Sequence, residues 1–307
     1  MPMTLGFNTA IVPELALMEV LDLAAELGYS HVEVMCWPPG KAERRYAGVT
    51  HLDVESINAT RAAEIQALCA RKNVAISALG YYPNPLSSDA EEAKRAVGHL
   101  RKVIEASALL GINLVTTFVG RDPKATVEAN WPRFLETWGP LLEFAESQGV
   151  RVGIENCPML FTADEWPGGK NLAVSPEIWR AMFTDLPSPS FGLNYDPSHL
   201  VWLGIDPIAP LYEFKDRIYH VHAKDARIDR DKLNRHGILA YPNLWHTPKL
   251  PGMGEIRWGA FVAALAEIGY QGPIVVEVED RAYERSFEAR RDSLIISRRA
   301  LLPYVAG

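Results

Sequence analysis

Short apolar runs and longer amphipathic stretches alternate eight times along this 307-residue chain. The apolar runs read as strands at Leu5–Phe7, His31–Met35, Val74–Leu79, Leu114–Val119, Val152–Glu155, Phe191–Asn194, Ile218–His222 and Ile274–Glu279. Helical patterns fall between and after them. They cover Glu14–Leu27, a stretch from a Ser56 cap to about Arg71, Ala90–Leu110, Ala129–Gln148 (with a bend expected at Pro140), Pro176–Phe183, Pro207–Phe214, Trp258–Ile268 and a last one to Leu302. Leu-Gly-Tyr, Leu-Gly-Ile and Ile-Gly-Tyr recur just before the second, fourth and eighth strands, as glycine stops at helix ends would. Eight strand–helix units predict an α/β fold, a closed (β/α)8 TIM barrel forming a single domain over residues 1–307, with long loops at the C-terminal mouth. An open doubly wound sheet fits less well, because no Gly-x-Gly-x-x-Gly follows any strand.

Bulk composition narrows the function. A formal net charge of −7 argues against nucleic acid as a main partner, since phosphate backbones call for concentrated Lys and Arg. The three cysteines, Cys36, Cys69 and Cys157, form no regular framework, which predicts reduced thiols and a cytoplasmic protein. The start, Met1-Pro2-Met3-Thr4-Leu5, has no basic and apolar leader pattern. No run reaches the ~20 apolar residues of a membrane span.

Four strand-like segments of the second half end in metal-friendly residues. They close on Glu155, Asp196, His222 and Glu277, separated by 196−155 = 41, 222−196 = 26 and 277−222 = 55 residues. Strands of a barrel deliver their C-terminal ends to one mouth. Three carboxylates and one imidazole then make a mostly hard site for one divalent cation, Mn²⁺ foremost, with Mg²⁺, Co²⁺ or Zn²⁺ also compatible. Glu279 rivals Glu277, since alternation puts both on one face. His220 shares that face one layer deeper than His222, where it either supports the site or touches substrate.

The pieces Ile154-Glu155-Asn156, Asp196-Pro197-Ser198-His199, His220-Val221-His222-Ala223-Lys224-Asp225, Pro251-Gly252-Met253-Gly254-Glu255-Ile256 and Val276-Glu277-Val278-Glu279 carry a resemblance. Together they resemble the xylose-isomerase-like barrel family of sugar isomerases, epimerases and related lyases, over nearly the whole chain and most clearly after residue 150. The resemblance implies that Glu155, Asp196, His222 and Glu277 bind one cation. It implies that His199 faces substrate oxygens near it, and that Glu155 and Glu277 are the catalytic acid/base pair. Family members are frequently oligomeric, which implies a homo-oligomer here.

A cation bridging a carbonyl and its neighbouring hydroxyl acidifies the C–H between them. A carboxylate can take that proton to leave a cis-enediolate, and a second can return one. The expected activity is therefore isomerisation or epimerisation of a sugar or keto-sugar. Lys224 is placed to stabilise negative charge developing on an oxygen. Trp37, Tyr81, Tyr82, Phe118, Trp166, Trp202 and Trp245 lie near strand ends or in the loops that follow, as a carbohydrate site requires. Of these, Trp37, Tyr82 and Trp166 are the chosen substrate contacts. The long segment Ala226–Leu250 reads as a functional loop and holds His236 and His246. Arg121 is the one obvious base elsewhere at the mouth, and the eighth strand ends in acid, so an unphosphorylated substrate is expected.

Two other activities share the barrel. A dehydratase or keto-glycoside-cleaving lyase starts from the same proton abstraction. An apurinic endonuclease needs further histidines near Leu79–Tyr82 and Thr117–Gly120, where this chain has none, and shows Asp229-Arg230-Asp231 where an Asp-x-His is expected.

Overall fold

The computed structural model describes residues 3–40 and 47–305. Eight parallel strands close into a barrel in the order β1, β10, β7, β6, β5, β4, β3, β2. They are β1 (Leu5–Asn8), β2 (His31–Met35), β3 (Ala75–Gly80), β4 (Leu114–Thr117), β5 (Arg151–Glu155), β6 (Phe191–Tyr195), β7 (Ile218–Ala223) and β10 (Ile274–Val276). Two more strands, β8 (Asp225–Ile228) and β9 (His246–Lys249), pair antiparallel outside it. The helices are α1 (Leu17–Leu27), α2 (Ala59–Lys72), α3 (Ala90–Leu109), α4 (Val127–Ser147), α5 (Pro176–Asp185), α6 (Pro197–Trp202), α7 (Ala209–Glu213), α8 (Arg230–His236), α9 (Trp258–Glu267) and α10 (Phe287–Leu301).

The eightfold alternation thus folds as the sequence predicts. Gly28, Gly111 and Gly269 sit at positive φ (76°, 67° and 77°), where the chain leaves a helix before the next strand. The long helices between the barrel strands bury one apolar stripe on the barrel's outer wall. Trp138, Trp179, Phe191 and Phe261 are fully buried in that layer.

Several boundaries differ from expectation. Asn58, not Ser56, caps α2, its side chain accepting from Arg61 N, while Val54–Ser56 forms a separate 3-10 turn. Both Pro132 and Pro140 lie inside α4. The fourth strand stops at Thr117, because Val119 N and Gly120 N bond to the Asn171 side chain. The eighth strand ends at Val276, with one further ladder bond from Glu277 N to Ala223 O. Ala226–Leu250, expected as a loop, contains the β8–β9 hairpin with α8 near its tip. Part of the segment expected as a loop after the second strand, residues 41–46, lies outside the described residues. No described helix is long and apolar enough to cross a membrane.

The barrel's centre is polar. Glu33, Thr116, Asn194, His220 and His222 are all buried. Such groups are tolerated inside only when hydrogen-bonded. Ser77 Oγ lies 3.1 Å from His220 Nε2, and His220 Nδ1 lies 2.9 Å from Asn194 Oδ1. Asn194 Nδ2 lies 3.0 Å from the Tyr82 hydroxyl. This layer is the floor of the site.

Candidate metal centre and active-site cavity

Glu155, Asp196, His222 and Glu277 arrive at the mouth from the ends of β5, β6, β7 and β10. Each offers one ligand atom, and these atoms lie within 4.8 Å of one another. Asp196 also caps α6, a helix absent from the sequence reading. Its Oδ1 accepts from Ser198 N at 2.7 Å, which leaves Oδ2 aimed into the site.

Buried atoms without hydrogen bonds mark the centre: Asp196 Oδ2, His222 Nδ1 and both ring nitrogens of His199. His222 Nε2 lies 2.6 Å from Glu33 Oε2, so the proton on that nitrogen points to a carboxylate. Nδ1 then faces Glu155 Oε1 at 3.5 Å and Glu277 Oε2 at 3.7 Å. Facing two carboxylates, that nitrogen is favourably placed only with a proton on it or a cation in the proton's place: burial opposes the imidazolium, but Glu33, Glu277 and Glu155 raise the His222 pKa above its ordinary value. The donor set, one imidazole nitrogen and three carboxylate oxygens, fits a divalent ion.

Glu33 is the residue that sequence reasoning missed. It accepts from Tyr82 Oη and Thr116 Oγ1 on Oε1, both at 2.5 Å, and from Asn8 Nδ2 at 3.1 Å and His222 on Oε2. Burial alone would favour its neutral form, but His222 outweighs that and holds its pKa at about 2. The Glu in His31-Val32-Glu33-Val34-Met35 breaks the apolar composition of a buried strand, and that was the available signal.

Lys224 is buried among acids. Its Nζ lies 2.6 Å from Glu277 Oε2, 2.9 Å from Glu279 Oε2 and 4.0 Å from Glu155 Oε1. It is 3.1 Å from Asp196 Oδ2, a charge contact without hydrogen-bond alignment. Burial disfavours the ammonium, yet Asp196, Glu277 and Glu279 keep it charged. The two glutamates of the site are pushed apart. Burial opposes ionisation of both. The contacts of Glu155 with His199 and His222 win and lower its pKa, whereas for Glu277 burial wins and raises it.

Above these residues opens a cavity of about 460 Å³. Of the expected substrate contacts, His199, Lys224, Trp37 and Tyr82 line it, as do Phe118 and Trp202. His199 Nε2 is 3.5 Å from Asp196 Oδ2 and 3.6 Å from Glu155 Oε1. Trp166 is not among the lining residues: its indole donates to Leu239 O at 3.0 Å, and its ring packs on a cluster of Trp202, Ile228 and Trp245. Tyr81 packs edge-on against Trp37 and His99. His246 also lines the cavity, stacked on Trp202 at 4.8 Å, whereas His236 is exposed at the end of α8. Arg121 ties its own loop to the one after β5, donating to Ala125 O and Gly168 O. Arg281 also lines the cavity, a residue the sequence reading did not single out.

The loop motifs have a structural account. Asp225 accepts from Ala226 N, Gly252 N, Ile256 N and Trp258 Nε1, at 2.9–3.1 Å. One carboxylate therefore binds the end of the His220–Asp225 segment to the Pro251–Ile256 loop. Asn171 does the same on the other side. It donates to Glu155 O and Cys157 O and accepts from Val119 N and Gly120 N.

Residues 21–299 match the family described as xylose isomerase-like TIM barrel, and the chain belongs to that family. It is 26% identical over 313 residues to YfiH of Bacillus subtilis (strain 168), described only as an uncharacterized protein. That match covers 91% of this chain and 93% of that one. A shorter stretch of 114 residues is 36% identical to the inosose dehydratase of Geobacillus kaustophilus (strain HTA426), covering 36% of each chain. Among solved structures, the fold is similar to that of IolI protein with a bound zinc atom. There the TM-score is 0.69 at 18% identity, over 98% of both chains. It is also similar to D-psicose 3-epimerase crystallised in the presence of D-fructose. That TM-score is 0.66 at 15% identity, over 97% of this chain and 99% of the other.

Proposed function

We propose that this protein is a divalent-metal-dependent isomerase or epimerase of an unphosphorylated sugar or keto-sugar, moving a proton at a carbon beside a carbonyl. The observation that carries the reading is the pairing of Glu155 and Glu277 within the four-residue donor set. They come from β5 and β10, with β7 and β6 between them in the barrel wall. Two carboxylates so separated reach a bound substrate from different sides, as return of a proton to the opposite face requires.

Glu155, Asp196, His222 Nδ1 and Glu277 would hold the cation. When bound, it supplies polarisation of a carbonyl and its adjacent hydroxyl, which acidifies the C–H between them. Glu155 and Glu277 are the pair that takes that proton and returns one. Lys224 stands beside both carboxylates and His199 beside Glu155, and the two orient substrate oxygens. Trp37, Tyr82, Phe118 and Trp202 pack on sugar C–H faces and keep water away.

A dehydratase is the second reading, favoured by the stretch shared with inosose dehydratase. It uses the same abstraction and then expels a β-hydroxyl. Nuclease chemistry finds no support. The chain after β3 and β4 brings Tyr82 and Phe118 to the cavity where further histidines would be needed.

Proton NMR in D₂O separates the readings. Metal-loaded protein is incubated with a panel of ketoses and inososes. Deuterium entering one carbon with every oxygen retained supports isomerisation or epimerisation, and an unsaturated ketone with loss of water supports the dehydratase. Absence of exchange beside any carbonyl, with metal bound, would sink both.

A further inference from the structure

Lys224 does not merely face the site; its ammonium stands among the same carboxylates that form the donor set. It reaches Glu277 Oε2 at 2.6 Å, Asp196 Oδ2 at 3.1 Å and Glu155 Oε1 at 4.0 Å. Its remaining partner, Glu279 Oε2 at 2.9 Å, belongs to no grouping of possible metal ligands among the described residues. Four acidic side chains around one buried point repel one another unless a cation sits among them. Lys224 supplies one positive charge to that point from within the chain.

We propose that Lys224 is a resident cation. It neutralises the acidic centre in the metal-free protein, and a divalent ion must draw Asp196 and Glu277 away from it to bind. Glu279 is the anchor that keeps the displaced ammonium beside the site. The inference rests on the metal reading given above and divides labour between the two glutamates of β10's end. Glu277 stands in the donor set and also contacts Lys224, while Glu279 contacts Lys224 from outside that set. The ammonium need not leave the site when the ion enters, since rotation about a four-carbon stem moves it within reach of Glu279.

The geometry makes a prediction opposite to that for an ordinary helper residue. Replacing Lys224 removes a competitor, so Lys224→Met tightens divalent-ion binding while weakening the metal-free fold. One charge-assisted contact corresponds to about 10- to 100-fold in affinity. Glu279→Gln removes the anchor, so Lys224 competes harder and the ion binds more weakly. In Lys224→Met/Glu279→Gln the anchor has nothing to hold, and the Glu279 substitution loses its effect.

The experiment is calorimetric titration of chelator-stripped full-length protein with Mn²⁺ and with Zn²⁺, alongside thermal unfolding with and without the ion. Wild type, both single variants and the double variant are compared. Expected are tighter binding and a larger metal-induced rise in Tm for Lys224→Met, weaker binding for Glu279→Gln, and equal affinities for Lys224→Met and the double variant. If Lys224→Met is too unstable when stripped, Lys224→Gln and the Glu279→Gln single variant still decide the matter. Unchanged or weaker binding in the Lys224 variants overturns the inference and leaves the metal site standing. So does an equal loss from Glu279→Gln in both backgrounds, which would make Glu279 a ligand. Wild-type protein that takes up neither ion overturns both the inference and the metal reading.

Discussion

Glu33 on β2 and His222 on β7 meet across the barrel's interior, Oε2 to Nε2, at 2.6 Å. Neither side chain has solvent exposure. Glu33 has no remaining acceptor capacity to spare, since four donors already converge on it. Its effect on the site is therefore to fix which nitrogen of His222 carries the proton, leaving Nδ1 toward the carboxylates. Glu33→Gln keeps the shape but can offer an N–H where a carboxylate oxygen stood. Metal affinity is expected to fall about 10- to 100-fold, read by titration of the stripped protein. Equal affinity in Glu33→Gln and wild type would show that His222 needs no such partner.

Removing the metal should unload the site without unfolding the barrel, because hydrogen bonds among Ser77, His220, Asn194 and Tyr82 hold the floor beneath it. Any ion that binds only the folded state stabilises it by mass action, about 2.7 kcal/mol when present at 100 times its Kd. Wild type is expected to lose that share on chelation and regain it with added Mn²⁺ or Zn²⁺. Asp196→Asn, which keeps the α6 cap but loses a charged ligand, should show no such shift. Identical Tm values for wild type with and without the ion, at millimolar concentration, would count against the centre.

Much of this architecture was legible in the sequence because it depends on periodicity. Apolar runs such as Ile274–Val276, short and β-branched, read as buried strands, and Gly28, Gly111 and Gly269 end helices for a backbone reason. The four residues that cluster at the mouth were legible because each stands at or near the end of such a run. The floor was not. Glu33, Asn194 and Ser77 become one network only when strands distant in sequence close into a ring, and periodicity carries no information about which inward residues meet. The β8–β9 hairpin escaped for another reason. Its strands hold Asp225, Arg227, His246 and Lys249, too polar to read as buried sheet, and it is pinned by Asp225 together with Ile228 in the Trp202–Trp245 cluster. Trp166, which follows β5, does not line the cavity, because its indole meets Leu239 and its ring packs on the Trp202–Trp245 cluster.

His246 should make the cavity wall acid-sensitive. Burial lowers its pKa from 6.5 to about 4, while its Nδ1 lies 2.9 Å from Pro242 O and its ring stacks on Trp202. The folded state resists protonation that the unfolded state accepts, so the unfolded chain binds more protons between these values. Stability from this residue is complete above about pH 6.5 and is lost as pH falls toward 4. The total is about 3 kcal/mol at most. Unfolding free energies of wild type and His246→Phe, measured from pH 7.5 to 4, should converge or cross as pH drops. Parallel curves would refute the assignment.

The same substitution should act with opposite sign at two glycines. At Gly254 a Cβ would stand 2.1 Å from Asp225 Oδ1 and 2.5 Å from Ala226 O. Neither can retreat: the carboxylate is held by four donors, and the carbonyl receives Glu255 N at 2.9 Å. Gly254→Ala must break part of that cluster, which ties the loop before α9 to the end of β7. A loss of about 2–4 kcal/mol is expected, typical of a disrupted buried network. Gly98 lies on the exposed side of α3, and a Cβ there meets nothing within 4 Å. Gly98→Ala should stabilise by about 0.5–1 kcal/mol through helix propensity alone. Chemical denaturation of the two variants reads both signs. Because Asp225 closes the segment that carries His222, Gly254→Ala should also weaken metal uptake, whereas Gly98→Ala should leave it unchanged. A Gly254→Ala protein with wild-type stability would mean that the Asp225 cluster does not hold this loop.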